Sequence, residues 1–451
     1  MSRFRYAVFT FLTICVLAFP AQAKYSNGDG SAESPYQIAT AADMNEIGEN
    51  PNDWDKHFKL MADIDLGSYT GTTFHILGTG YSNPFTGVFD GNGHTISNFT
   101  YSSTGTDHIG LFGYVYGINA EIKNLGLIDP NIDAGIGWWI GSLAGVLSVG
   151  SISGCYVEDG SISGDDIVGG LVGYNNGNLS NCYATANASG GDDVGGLIGY
   201  SNHTIFNCYA TGDVSGNRYV GGLVGANVGG TITNCYSTGG ISGSSEVGGL
   251  VGENHLAAVI SCYSTGSVTG DDDVGGLVGY NYSGTVTDSF WDVNSSGMDT
   301  SAAGTGKTTA EMQTRSTFTD ASWDFVDVWD ICEGTNYPKL AWQILLPGDF
   351  LCPDGVETND LAVLVEQWLL EELSADVWPD GGDGVVDFLD WAIFANGWQI
   401  SNDIFDLADF ADQWLKTGAN YYIADIAPQE GDGFVNFLDF AIFADHWLQG
   451  M

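Results

Sequence analysis

The sequence predicts a mainly β protein, a parallel β-helix of stacked repeats, followed by a small all-α domain of calcium-type loops. Three observations carry this. The phrase Gly-Gly-Leu-Val-Gly recurs at Gly169–Gly173, Gly195–Gly199 (with Ile198), Gly221–Gly225, Gly248–Gly252 and Gly275–Gly279, and its leucines step by 26, 26, 27 and 27 residues. Cys155, Cys182, Cys208, Cys235 and Cys262 keep one phase in the same frame, with steps of 27, 26, 27 and 27. After Pro347 the composition turns acidic, and a helical pattern headed by Asp recurs four times. A fixed period of this length marks a stacked architecture, because one such unit cannot bury a face alone.

The chain opens with an export pattern. Arg3 and Arg5 precede an apolar run from Tyr6 to Phe19, and Ala21-Gln22-Ala23 offers a small-x-small cleavage site, so residues 1–23 are expected to be removed. The run is too short to span a membrane, and no later stretch is long enough. Cys15 lacks the small residue before it that a lipid anchor would want, which points to soluble export. The expected location is extracellular or at the cell surface.

Residues 24–80 are expected to form an N-terminal cap, with a short helix over Thr40–Glu49 covering the open end of the solenoid. Such caps protect backbone groups that an end coil leaves unpaired. Residues 81–300 are assigned to the repeats. Phe85–Ile96 places an Asn92-Gly93 turn between β-prone runs, and Gly110–Gly113 and Gly141–Gly145 are looser copies of the glycine phrase. Each full repeat pairs that phrase with Thr-Ile-x-Asn-Cys-Tyr-x-Thr-Gly, as in Thr204–Gly212 and Thr231–Gly239. The runs are short, β-prone and punctuated by glycine. Stacked coils place equivalent residues about 4.8 Å apart.

Alternation in Cys155-Tyr156-Val157-Glu158 turns Cys155 and Val157 inward and Tyr156 and Glu158 outward. The cysteines are then a buried column whose spacing slightly exceeds what a disulfide needs, so packed thiols are expected. Bridging of alternate coils and a metal ladder are the rival readings. Tyr156, Tyr183, Tyr209, Tyr236 and Tyr263 form an outward column, either a ladder of contacts between coils or a surface on which sugar rings stack. Asp165-Asp166, Asp192-Asp193 and Asp271-Asp272-Asp273 occupy equivalent turns, as solvated turn acids or as a calcium stripe.

These two phrases resemble the GLUG-motif repeats of bacterial exported and surface proteins, over roughly residues 80–300. The resemblance implies an extracellular location and often adhesion; it implies no reaction.

Residues 301–347 are expected to close the far end, Thr308 or Thr309 capping a short helix through Met312. Gly304-Thr305-Gly306-Lys307-Thr308 fails as a phosphate loop, since residue 301 is Ser and not Gly. Cys332 and Cys352 are candidates for a disulfide across the next junction.

Residues 348–451 hold 21 acids and one base, Lys416. The patterns headed by Asp360, Asp390, Asp406 and Asp439 each place apolar residues one, four, five and eight positions on, the face of an amphipathic helix. Before two of them lies an Asp-Gly loop: Asp383, Asp387 and Asp390, and again Asp432, Asn436 and Asp439. Ca²⁺ takes six to eight oxygens, and a turn-making glycine lets a loop wrap it. Clustered carboxylates repel without the ion, so binding and folding should be coupled. This region resembles a tandem type I dockerin. The resemblance implies first ligands at Asp376 and Asp425, each seven residues before its Asp-Gly, and a shorter loop of Asp349, Asp354 and Asp360. It also implies a cohesin-like or cell-surface partner.

The whole chain carries a formal net charge of −45, with 56 acids against 11 Lys and Arg. Nucleic acid needs a basic footprint and is excluded as a partner. No catalytic constellation emerges: there is no HExxH, the histidines are scattered, and from residue 110 to 300 the only bases are Lys123 and Arg218. A non-catalytic binding or display protein is preferred. The alternative is a polysaccharide hydrolase or lyase in an extracellular degrading complex.

Overall fold

The computed structural model describes residues 24–343, which form a parallel β-solenoid of about nine turns. One coil shows how. Asp166–Gly169, Val172–Asn175, Asn178–Ser180, Tyr183–Ala184 and Asn187–Ser189 are five short strands separated by corners. Each pairs in parallel with its counterpart one coil on: Val168 with Val194, Val172 with Ile198, Leu179 with Ile205, Tyr183 with Tyr209 and Ala188 with Val214. The repeat leucines lie in a file and are fully buried. The amides of Leu171, Leu197, Leu223 and Leu250 each donate to the carbonyl of the next leucine, at 3.0, 2.9, 2.9 and 2.8 Å. The glycine before each leucine is dictated by this approach. A Cβ on Gly170 would fall 2.1 Å from the Gly196 carbonyl oxygen, and one on Gly196 2.2 Å from that of Gly222.

The asparagine of the other phrase has a different cause. Asn181, Asn207 and Asn234 adopt φ of +52, +54 and +53°, at the corner that turns the chain toward each tyrosine strand. Asn tolerates this left-handed region better than most residues. A second set of asparagines lies inside. Asn175 donates to Ser201 (3.1 Å), Asn227 to Asn254 (3.1 Å) and Asn254 to Asn281 (2.9 Å), a ladder of polar side chains within the core. Buried amides need such partners, and coil stacking provides them.

The N-terminal segment carries more of the solenoid than a cap would. Tyr36–Ile38 pairs with His57–Leu60, His57–Leu60 with Val88–Asp90, and Ile64–Asp65 with Thr95–Ser97, so coils begin well before residue 81. The expected helix is present as Ala41–Glu49. Thr40 Oγ1 accepts from the Asp43 amide and the Asp43 carboxylate from the Thr40 amide, while Met44 and Ile47 join the core. The Asn92-Gly93 turn joins strands of two different parallel sheets and so forms a corner.

The C-terminal segment does two things. Ser301 Oγ accepts the amides of Leu277 (3.2 Å) and Val278 (2.9 Å), groups that the last coil would leave unpaired. Thr305–Lys307 then adds a strand beside Phe290–Asp292. Thr308 caps the helix Thr309–Met312, as the sequence indicated, through a box with Glu311. Beyond it the chain does more than close the end. It turns back along the flank, and Met312, Phe318, Trp323, Trp329 and Leu340 pack on Tyr236, Tyr263 and Phe290.

The corner geometry makes a prediction. Asn207→Val should destabilise the solenoid by about 1–2 kcal/mol, since a β-branched residue resists the left-handed region. Asn207→Gly should be close to neutral. Equilibrium urea unfolding of both variants checks this, and equal losses would show that the corner conformation is not the cause.

Candidate functional site

The calcium-loop residues Asp349, Asp354, Asp360, Asp376, Asp383, Asp387, Asp390, Asp425, Asp432, Asn436 and Asp439 lie outside the described residues, as does Cys352. Cys332 is disulfide-bonded. Among the described residues, no group of three or more His, Cys, Asp or Glu is placed to hold a metal ion, and no helix is long and apolar enough to cross a membrane.

The cysteine column forms as expected. All five side chains are free thiols and fully buried. The amides of Cys182, Cys208 and Cys235 donate to the sulfur of the next cysteine at 3.4, 3.3 and 3.4 Å, and Ser289 Oγ takes the same place for Cys262. Each thiol also donates within its own coil, Cys182 to the Ser180 carbonyl and Cys235 to that of Thr233, both at 3.1 Å. Burial pushes the Cys155 thiol up to about 12 and raises Cys182 and Cys235 as well. Against burial, hydrogen bonds from the thiols of Cys182 and Cys235 pull Cys208 the other way. Although the thiolate is the reactive species, complete burial of all five sulfurs should keep them inert. Ellman's reagent should find none of the five in native protein and all five in denaturant.

The tyrosine column also forms. Rings stack from Tyr156 to Tyr183, Tyr209, Tyr236 and Tyr263 at 4.8–4.9 Å with interplanar angles of 1–7°. It is an outer column, but much of it does not face water. The flank segment covers it: Trp323, Trp329 and Tyr337 lie on Tyr263, Trp329 on Tyr236, and Trp342 on Tyr209 and Tyr183. Tyr263 donates to the Pro338 carbonyl (2.5 Å) and Tyr236 to Gln343 (3.1 Å). Tyr236 and Tyr263 are thereby buried, and only Tyr156, Tyr183 and Tyr209 keep partial exposure. A tyrosine strip is an apolar flank, and aromatic side chains from later in the chain bury it. Burial pushes Tyr209 up to about 12.

The turn acids share a corner with other residue types. His108, Trp139, Ile167, Asp193, Tyr219, Glu246 and Asp273 all adopt left-handed φ and stand one above the other, each just before a strand residue paired coil to coil. Beside this corner, the outer face of the next sheet carries Tyr114, Val146, Tyr174, Tyr200, Ala226, Glu253 and Tyr280 in register. Arg218 spans two coils, donating to both carboxylate oxygens of Glu246 at 3.0 Å, and lies 4.2 Å over the Tyr219 ring. Burial, then the carboxylates of Asp192, Glu253 and Asp166, raise Asp193 to about 7. The folded state therefore holds its proton more tightly than the unfolded chain, so stability is lost as pH rises toward that value. Asp193→Asn should gain thermal stability over wild type as pH goes from about 4 to 7, with no further gain to pH 8.5; a gain independent of pH would remove Asp193 as the titrating group.

Two further surfaces were not singled out by the sequence. A shallow groove of about 460 Å³ lies along the hydroxyl-rich sheet, lined by Asn187, Ser189, Asp213 and Ser242 together with Val214 and Ile241. On the earlier coils, exposed aromatic rings gather around Tyr81 and Trp138. The adjacent pair Trp138-Trp139, at the corner where later coils carry acids, was the legible signal.

Comparison with known proteins matches this chain to the GLUG motif at residues 167–189, 190–215, 216–242 and 243–269, so these coils are GLUG repeats. Halomucin of Haloquadratum walsbyi is 32% identical over 155 residues, covering 32% of this chain and 2% of that protein. A Gly-rich membrane protein of Evansella cellulosilytica is 34% identical over 164 residues, covering 32% of this chain and 18% of its own length. The chain thus spans a small part of both relatives. A candidate immunoglobulin A1 protease of known structure from Bacteroides ovatus aligns over 71% of this chain and 96% of its own, with 21% identity and a TM-score of 0.45. An IgA1 protease structure aligns over 56% of this chain and 21% of its own, with 15% identity and a TM-score of 0.36.

Proposed function

We propose that this is an exported surface protein that binds or displays: a stiff solenoid spacer presenting its outer faces, joined to an acidic tail that binds Ca²⁺ and docks to a cohesin-like or cell-surface partner. The observation that carries the reading is the run of GLUG coils, beside a partial likeness to Halomucin and to a Gly-rich membrane protein. Each coil contacts only its neighbours, so length and rigidity follow from repetition. In the tail, Asp383, Asp387, Asp390, Asp432 and Asp439 would supply carboxylate oxygens, and Asn436 an amide oxygen, to the oxygen-rich loops the ion prefers.

Calorimetry on the full chain after chelation should show heat on adding Ca²⁺, with a parallel gain in helical circular dichroism. Neither heat nor helix would remove the docking half of the reading.

A second reading, glycan hydrolysis, is favoured by one feature. Asp193 is raised to about 7, with Glu253 in electrostatic reach. A carboxyl that keeps its proton toward neutral pH has the state a general acid needs. Release of reducing ends from a polysaccharide, abolished by Asp193→Asn, would favour this reading over display.

A further inference from the structure

The early coils carry six rings in one unbroken chain. Tyr116 meets Tyr81 at 5.8 Å, Tyr81 meets Tyr114 at 6.4 Å, and Tyr114 meets His108 at 5.5 Å. His108 stacks on Trp139 at 4.8 Å and 9°, and Trp139 meets Trp138 at 5.9 Å. Tyr81 is 70% exposed, Trp138 43% and Tyr116 40%, and the other three rings are half-buried. Most contacts are edge to face, at 62–84°, so the rings present tilted facets to solvent. Exposed aromatic rings gathered in one place mark a candidate site of interaction.

The chemistry of the occupant follows from charge. The chain bears a net charge of −45, which repels polyanions. The patch itself brings no compensating cation. Burial holds the His108 imidazole below its usual range, with Asp107 opposing, and Asp107 Oδ1 accepts the Trp138 amide at 2.9 Å. What remains is a set of uncharged rings with hydroxyl, indole N–H and imidazole tips. Such groups suit a ligand with apolar C–H faces and hydroxyl edges. The same two columns turn acidic in later coils, at Asp193, Glu246, Glu253 and Asp273, so the uncharged ground is confined to the early coils.

We propose that this ring chain is a binding platform for a neutral polysaccharide, whose sugar faces lie on Tyr81 and Trp138 while its hydroxyls bond the tips of Tyr116 and His108. The proposal rests on the surface-binding reading and gives it a ligand class. It also moves the sugar contact from the Tyr156–Tyr263 column to different sheets of the solenoid, on its early coils.

Affinity electrophoresis of the full chain through gels containing hydroxyethyl cellulose, xyloglucan, glucomannan, xylan or dextran tests it, with polygalacturonate as the acidic comparison. Wild type should be retarded by at least one neutral polymer. Trp138→Ala and Tyr81→Ala should each weaken that binding by about tenfold or more. Tyr280→Ala, an aromatic of the same outer column far along the solenoid, should leave it unchanged. Unaltered melting temperatures would show that the variants fold. No retardation by any neutral polymer, retention of binding in both ring variants, or preference for polygalacturonate would overturn the proposal. So would a concentration-dependent dimer, seen by sedimentation, that Trp138→Ala abolishes, because the patch would then seat a second copy. The Ca²⁺ calorimetry does not involve these rings, so failure here leaves the tail reading to stand or fall separately.

Discussion

Parallel hydrogen bonding between successive coils is the constraint on which this molecule depends. Backbone amides of one coil donate to carbonyls of the next at nearly constant spacing, and the spacing forces like side chains into files. Every prominent feature is one of those files: leucines, thiols, buried amides, tyrosines and left-handed corners. The glycine pair is the steric condition of that contact, because a side chain at Gly170 or Gly196 would push two coils apart. A file is therefore selected as a unit. One residue that does not fit disturbs the coils on both sides.

Files have ends, and the ends are where a solenoid is vulnerable. An open coil offers unpaired amides and carbonyls to any other strand. At the N-terminal side the helix Ala41–Glu49 sits beside the first paired strands and buries Met44 and Ile47 against them. At the other end Ser301 answers two amides of the last coil before the chain leaves. The flank segment then solves a different problem, the apolar tyrosine strip. Trp323, Trp329 and Trp342 take successive places along it. The last described residues, Trp342 and Gln343, lie on Tyr183, Tyr209 and Tyr236.

Function, on this architecture, is a matter of what stands at outward positions. The scaffold is indifferent to outer residues as long as the inner files hold. One corner carries His108, Trp139, Ile167, Asp193, Tyr219, Glu246 and Asp273 with the same backbone. That variation along a constant frame gives an aromatic stretch on early coils and an acidic one later. The carboxyl of Asp193 and the ring chain around Tyr81 are both products of this freedom.

The sequence by itself determined the periodic part. Spacing of the leucines and cysteines was enough to infer parallel coils, inward thiols and outward tyrosines, because a repeat that stacks has only one way to keep its period. Local chemistry also sufficed for the short helix within Thr40–Glu49 and for the one capped by Thr308, since helical contacts join residues three and four apart. The tertiary structure alone decided what lies over what. Tyr236 and Tyr263 are buried by residues about 60–100 positions later, such as Trp323, Tyr337 and Gln343. Coils also begin before residue 81, in strands that lack the glycine phrase and are recognised only by their pairing. The ring chain joins Tyr81, His108, Tyr116 and Trp138, which have no common spacing. Short-range order is written in neighbouring residues, whereas burial of one face by a distant segment depends on how the whole chain returns upon itself.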